Sequence, residues 1–271
     1  MPTLTEQEFA RFQRFIFDSA GITLADGKLV LVSSRLAARV LHHELRSLRE
    51  YFELLASGAQ PQEVQIAIDL LTTNETYFFR EPKHFDFLRE QLRTATLRSR
   101  NQPLRIWSAA GSTGEEAYSI AMVLEDCLRG RPWEVLASDI SSRVLERARA
   151  GKYPMERARN IPLDYLRRYC LEGQGKLENT LLVDRPLRNK VTFRQINLNA
   201  PLPHIGEFDF VFLRNVLIYF SLETKREVVA RVLRVLKPGG WFLVGHAESL
   251  HNVTSAVKAA APATYEKLVA G

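Results

Sequence analysis

Near the amino terminus, Phe9, Phe12, Phe15 and Ile16 recur at helical spacing. Thr5 and Glu8 stand before them at the spacing of a capping box, and Gly21 ends the run. The next apolar face is Leu41, Leu45, Leu48 and Phe52. It predicts one long helix, capped by Ser33 or Ser34, reaching about Leu55 and stopped near Gly58. Pro61 suits the first turn of a third helix through Leu71. Residues 72–81, TTNETYFFRE, break this pattern, and a further helix follows Pro82. The polar stretch 99–103 closes the first half. From Leu104 the period shortens. LRIWSA, WEVLASD, VTFRQINL, FDFVFLRN, WFLVGHAE and ATYEKLVA read as strands. Between them, YSIAMVLEDCL, SSRVLERARA and about 222–236 read as helices, and KPGG predicts a turn into WFLVGHAE. Such alternation predicts an α/β fold: a mostly parallel sheet, helices on both faces and right-handed crossovers. Residues 152–190 interrupt it with Pro154, Pro162, Gly173, Gly175 and Pro186. They predict a small antiparallel lobe inserted between the second and third core strands.

Composition narrows the class without naming it. With 46% hydrophobic residues in a chain of 271, there is enough apolar material for one large core or two modest ones. No stretch reaches the apolar length of a membrane span, and the first residues show no basic region followed by an apolar run. Cys127 and Cys170 are the only cysteines, which predicts inert thiols rather than a disulfide or metal centre. These features predict a cytoplasmic protein, with no direct membrane insertion. The net charge of +6 favours acidic partners. Arg35, Arg39, His42, Arg46 and Arg49 recur on one face of the expected long helix. Such a stripe is either a solvated face or a docking surface for an acidic partner.

Candidate chemistry collects at the carboxyl ends of the expected strands, where open parallel sheets bind ligands. Residues 110–116, AGSTGEE, follow the first strand. Gly111 and Gly114 permit a tight turn and close backbone approach. The loop matches neither GxGxxG nor a Walker loop, and its acidic pair disfavours phosphate. Glu115 or Glu116 instead attracts a cationic group, such as the ammonium or sulfonium end of S-adenosylmethionine (SAM). Asp139 ends the second strand, where a carboxylate accepts hydrogen bonds from a ribose diol; a cap for the following helix is the alternative. Asn197 and Leu198 end the third strand and suit adenine, and Asn215 ends the fourth. No Pro-Pro motif that would present a flipped base is found, which disfavours a nucleic-acid enzyme. No cysteine–histidine arrangement points to zinc or covalent catalysis.

TTNETYFFRE, RIWSAAGSTGEEAYSIAM, LASDIS, FLRNVLIYF and LKPGGWFLVGHAES occur in the order found in the chemotaxis receptor methyltransferases. Over essentially its whole length the chain resembles this CheR family. The resemblance implies a Rossmann-like class I SAM-dependent methyltransferase domain, an all-helical amino-terminal domain and a small inserted antiparallel β-subdomain. The implied boundaries are 1–75 for the receptor-docking domain, 76–103 for a linker that contributes to the cofactor site, 104–271 for the methyltransferase domain and 152–190 for the insert. The implied activity is methyl transfer to glutamate side chains on the cytoplasmic helices of chemotaxis-type receptors, leaving S-adenosylhomocysteine. The implied cofactor contacts fall on Asn74, Thr76, Arg80, Glu115, Asp139, Asn197, Leu198, Arg214 and Asn215. Arg80, Tyr219 and Asn215 take the catalytic roles, Phe78 takes a packing role, and the basic stripe becomes the receptor surface. The inserted lobe binds a receptor carboxyl-terminal pentapeptide in some members. An ionised glutamate can attack the methyl group directly, so no general base and no metal is expected. The chain is expected to act as a monomer, with no repeat domain after its last strand. Methylation of another acidic protein, or a SAM-binding signalling adaptor, are the alternatives.

Overall fold

The structure, a computed structural model, describes residues 4–94 and 102–269. Four helices come first: α1 (Glu6–Ala20), α2 (Leu29–His42), α3 (Leu48–Ala56) and α4 (Pro61–Leu71). The Thr5–Glu8 capping box is formed, and Gly21 closes α1 in the left-handed conformation. The helices bury Phe12, Ile16, Leu36, Val40, Tyr51 and Leu55 against one another.

The expected long second helix is two helices. Ser33 and Ser34 lie within α2, and their hydroxyls donate back to the carbonyls of Leu29 and Leu31 at 3.0 and 2.9 Å. Neither is a cap. The chain turns at residues 43–47, where Glu44 has φ 54°, and Ser47 caps α3 through the Glu50 amide at 3.2 Å. Leu41 is left 76% exposed instead of joining the core.

This break disperses the basic stripe. Arg35 turns inward and donates to the carbonyls of Leu71 and Thr72 at 3.2 and 3.1 Å. Arg39 Nε donates to Glu63 Oε1 at 2.8 Å, and the Tyr51 hydroxyl donates to the same oxygen at 2.6 Å. Burial pushes the Glu63 carboxyl up, but hydrogen bonds from Arg39, Tyr51 and His43 outweigh it and hold the group at about 2. His42, Arg46 and Arg49 remain exposed around the α2–α3 corner. Charge reversal separates the two groups. Arg39→Glu leaves buried Glu63 facing a second carboxylate and costs roughly 3 kcal/mol, visible as a lower thermal midpoint. Arg46→Glu shifts the midpoint by no more than about 2 °C. Equal midpoints for both variants would contradict this division.

The second part begins with α5 (Lys83–Leu92). It continues through β1 (Leu104–Ser108), α6 (Glu115–Leu128), β2 (Trp133–Asp139) and α7 (Ser142–Ala150). The insert holds β3 (Lys152–Pro154), α8 (Leu163–Tyr169), β4 (Cys170–Glu172), β5 (Thr180–Val183) and α9 (Arg185–Arg188). Then come β6 (Val191–Gln195), β7 (Phe208–Leu213), α10 (Leu222–Arg234), β8 (Leu236–Val244), β9 (Val257–Ala261) and β10 (Thr264–Lys267). The main sheet has the order β6-β2-β1-β7-β8-β10-β9. Its first five strands are parallel, and β10 runs antiparallel between β8 and β9. The insert forms a separate antiparallel sheet, β3-β5-β4.

Side chains alternate between two cores, as period-2 strands require. Ile106, Phe210, Phe212 and Leu243 face α5 and α6. Trp107, Val211, Leu213 and Phe242 face α10. The helix α5 gives Phe85, Leu88 and Leu92 to the first of these cores. The helical part of segment 76–103 is therefore a layer of the α/β fold. Of the polar stretch 99–103, residues 99–101 lie outside the described residues. KPGG is not a turn before β8 but part of it, with the register against β7 shifting between Phe208 and Phe210. The β9 strand has no counterpart in the sequence reading, because VKAAA is almost wholly exposed and carries no apolar alternation. Among the described residues no helix is long and apolar enough to cross a membrane.

The helical part is fastened to the sheet-bearing part. Asp69 of α4 caps α7, accepting from the Ser142 amide at 3.0 Å, the Ser142 hydroxyl at 2.7 Å and the Arg143 amide at 3.2 Å. Ile22 makes an antiparallel bridge to Phe220, and the Thr23 amide donates to the Tyr219 carbonyl at 2.8 Å.

Candidate active site

The winding of the sheet reverses between β1 and β7, and a cleft of about 390 Å3 opens at the carboxyl ends of these strands. Its floor is Ala109, Ala110 and Ser112 after β1, Asp139 and Ile140 at the end of β2, and residues 196–198 after β6. Arg214 to Phe220, after β7, form one side. The opposite wall is the irregular segment 71–76 with Arg80, and residues 20–28 of the helical part complete the rim.

Segment 72–81 is anchored by its aromatic pair. Phe78 is fully buried, edge-on to Tyr153 at 5.0 Å. The Phe79 amide donates to the Ser119 hydroxyl at 3.0 Å. Phe79 and Glu81 both have left-handed backbone, φ 53° and 58°. A bulky residue with positive φ is strained, and the surrounding packing has to hold it there. Arg80 is displayed between these two pinned residues. Its Nη1 donates to the Glu75 carbonyl at 2.9 Å, leaving the guanidinium on the cleft wall.

Buried Glu116 and partly buried Glu81 meet at Arg214, whose side chain is 1% exposed. Its Nη1 donates to Glu116 Oε2 at 2.8 Å, and its Nη2 to Glu81 Oε2 at 2.9 Å and to the Arg80 carbonyl. Burial pushes the Glu81 carboxyl up, yet Arg214 overrides it and holds the group at about 2. Burial also raises Glu116, and there Arg214 and Ser108 only reduce the effect. Next in the chain, Asn215 has φ 57°. Its amide donates to Glu248 Oε2 at 2.8 Å, and the Ile218 amide donates to Oε1 of the same carboxylate at 3.2 Å. Glu248 thereby fixes the loop that carries Asn215 and Tyr219.

Asp139 faces the cleft and does not cap α7. Its Oδ2 accepts from the Ser112 amide at 3.0 Å and its Oδ1 from the Ser141 amide at 2.9 Å. The Ser112 hydroxyl donates in turn to the Asn74 carbonyl at 2.9 Å, so the glycine loop ties β2 to segment 72–81. Gly114 makes the loop possible. It has φ 96°, and a Cβ there would lie 2.9 Å from Ala148 Cβ. Burial pushes the Asp139 carboxyl up to about 6, against the two amide bonds. An ionised carboxylate is the better acceptor for a diol. If Asp139 receives the diol of a nucleoside ligand, affinity for that ligand should fall, by up to about tenfold, as pH drops from 7 to 5, and Asp139→Asn should weaken binding and flatten that dependence. Calorimetry with wild type and variant reads both.

Not every expected contact faces the cleft in the same way. Asn74, Thr76, Arg80, Asp139, Asn197, Leu198, Arg214, Asn215 and Tyr219 line it. Glu115 is not among the lining residues: Thr113 donates to its carboxylate at 2.6 Å, and Arg157, which also donates to the Thr76 carbonyl, at 2.9 Å. Glu116 is the acidic residue of that pair that lines the cleft. The Asn197 amide is engaged at both ends, donating to the Ser19 carbonyl at 2.7 Å and accepting from the Asn199 amide at 2.9 Å. It serves the cleft as a wall and as a tie to α1. Sequence reasoning missed Glu81, Glu248 and the rim at 20–28. Glu248 carried the same signal as Asp139, a carboxylate just beyond a strand; the rim carried none.

Comparison with known proteins agrees with this architecture. The CheR methyltransferase all-alpha domain matches residues 7–72, and the CheR methyltransferase SAM binding domain matches residues 74–265. The chain is 42% identical over 253 residues to the chemotaxis protein methyltransferase of Escherichia coli (strain K12), covering 92% of this chain and 87% of that one. It is 40% identical over 264 residues to chemotaxis protein methyltransferase 2 of Pseudomonas aeruginosa, covering 96% and 93%. With the corresponding protein of Borreliella burgdorferi, identity is 34% over 273 residues, covering 97% and 95%. Two consecutive matched domains, and relatives aligned along nearly their full length, place this chain in the CheR family of SAM-dependent methyltransferases.

Proposed function

We propose that this chain methylates glutamate side chains on the cytoplasmic helices of chemotaxis-type receptors, giving glutamyl methyl esters in sensory adaptation. The observation that carries the reading is the guanidinium of Arg80 on the wall of the cleft that also holds Asp139. The cleft suits SAM by its chemistry. Asp139 accepts from a ribose diol, and Ile140, Ile196 and Leu198 offer apolar surface to adenine. SAM, when bound, supplies a methyl group activated by the positive sulfur.

The remaining work falls to the residues of the chain. Arg80 receives the incoming carboxylate and orients it, and a glutamate is already ionised near neutral pH. No residue has to remove a proton. Tyr219, on the facing loop, bounds the position of the reacting oxygen, and Asn215 orders the floor beside it. Helical-domain residues 20–28 help exclude water, which competes with the carboxylate. His42, Arg46 and Arg49 form the surface that meets acidic receptor helices, while Arg35 and Arg39 hold that surface in place. The protein acts in the cytoplasm as a monomer.

The test is transfer of labelled methyl from SAM to purified cytoplasmic fragments of candidate receptors. Label released by mild base and mapped to glutamate supports the reading. Base-stable label would reject glutamyl ester formation. Tight SAM binding with no transfer to any receptor fragment would favour a signalling adaptor.

A further inference from the structure

Behind the cleft wall, Glu81, His84 and His246 each bring one ligand atom into a group spanning no more than 4.8 Å. None of the three is itself a cleft-lining residue, although Glu81 bonds to Arg214 and Asn215, which are. Glu81 precedes α5, His84 lies in its first turn, and His246 follows β8. His84 is 1% exposed, and neither ring nitrogen makes a well-formed hydrogen bond, although the Glu81 carboxylate and the Pro262 carbonyl stand beside the ring. Burying an imidazole with its nitrogens so loosely engaged is costly, and the cost points to a ligand. His84 Nδ1 lies 3.5 Å from Glu81 Oε2, and His246 Nε2 lies 4.0 Å from the same oxygen. The two imidazoles meet edge to face, with centroids 5.0 Å apart. Two imidazoles and one carboxylate form a donor set that zinc-class ions favour, with the fourth position left to water. The His246 side chain is 43% exposed, so it gives solvent a path in and can close the remaining distance.

We propose that Glu81, His84 and His246 form an inhibitory site for a zinc-class divalent transition-metal ion. The methyl-transfer chemistry itself uses no metal. Inhibition follows from the carboxylate the site shares with the cleft. Glu81 Oε2 accepts from Arg214 at 2.9 Å, and Glu81 Oε1 accepts from Asn215 Nδ2 at 3.2 Å. A metal ion on Glu81 competes with Arg214 for one oxygen and repels the guanidinium. Both Arg214 and Asn215 line the cleft, so metal loading loosens its wall. The same repulsion keeps the metal weakly held and exchangeable.

The test uses the full chain with cobalt and zinc salts. Added cobalt(II) should give the visible absorption of a tetrahedral nitrogen–oxygen site at one equivalent, and zinc should displace it. His246→Ala should abolish that spectrum, whereas His42→Ala with His251→Ala should leave it intact. Zinc should weaken SAM binding and methyl transfer in wild type, with recovery on adding EDTA. The His246→Ala protein should need at least about tenfold more zinc for the same effect, with unchanged activity in EDTA. No saturable cobalt binding in wild type, or an unchanged spectrum and zinc sensitivity in His246→Ala, would overturn the proposal. The cobalt spectrum and SAM binding need no receptor, so they stand or fall independently of the proposed methyl acceptor.

Discussion

Arg214→Met is expected to lower the thermal midpoint by roughly 10 °C and to abolish methyl transfer. The side chain is almost completely buried and is the shared counter-charge of Glu81 and Glu116. Removing one partner of a buried ion pair leaves an uncompensated charge, typically about 3–5 kcal/mol. The pH dependence is distinctive. With Arg214 present, the Glu81 carboxyl sits at about 2, below its ordinary value, so its stabilising contribution is complete above the unfolded pKa and is lost only as pH falls through about 2. Glu116 sits above its ordinary value even with Arg214 in place. Without the arginine it binds a proton still more readily in the folded state, so the variant suffers most at high pH. Melting curves at pH 8 and pH 5.5 should show the gap from wild type narrowing towards the lower pH. A gap that widens on acidification would contradict the shared-counter-charge account. Loss of transfer follows separately, because Arg214 also donates to the Arg80 carbonyl and so fixes the catalytic segment.

Arg80→Ala should leave SAM affinity within about threefold of wild type, yet lower turnover by roughly 100-fold or more at saturating receptor. Its backbone is held by Arg214 and by the flanking strained residues, so truncating the side chain leaves the cleft standing. What disappears is the orienting charge for the incoming carboxylate. Arg80→Lys should recover only part of the rate, because an ammonium does not reproduce the planar two-point grip of a guanidinium. Undiminished turnover in Arg80→Ala, with both substrates saturating, would remove the side chain from the mechanism. A matched loss of SAM affinity and rate would instead make it a cofactor-binding residue.

Much of this molecule was legible in its sequence, for identifiable reasons. The parallel strands are buried on both faces, so FDFVFL and its neighbours read as continuous apolar runs wherever they pack. Asp139 stood out because a carboxylate at a strand end beside a glycine loop has few structural uses. The split of α2 from α3 was hidden, because residues 43–47 hold no glycine or proline and the turn rests on the left-handed backbone of Glu44. Basic periodicity across that split then suggested one face where tertiary partners divide it. Glu63, 24 residues beyond Arg39, claims that side chain in a way no local spacing reveals. The partners of Glu115 and Glu116 were equally closed to sequence, since Arg157 of the insert pairs with the first and Arg214 with the second.

The segment after α1 belongs to two structures at once. Residues 22–28 follow the first helix of the helical part, and they also bridge to Phe220, hydrogen-bond to the Tyr219 carbonyl and rim the cofactor cleft. If a receptor docks on the helices as proposed, it also holds one side of the cofactor cleft. If engagement steadies this rim, it tightens the grip on SAM, and by thermodynamic reciprocity SAM tightens the grip on the receptor by the same factor. The enzyme would then favour encounters in which donor and acceptor are present together, a logic of coincidence written into a short stretch of chain that carries no catalytic group.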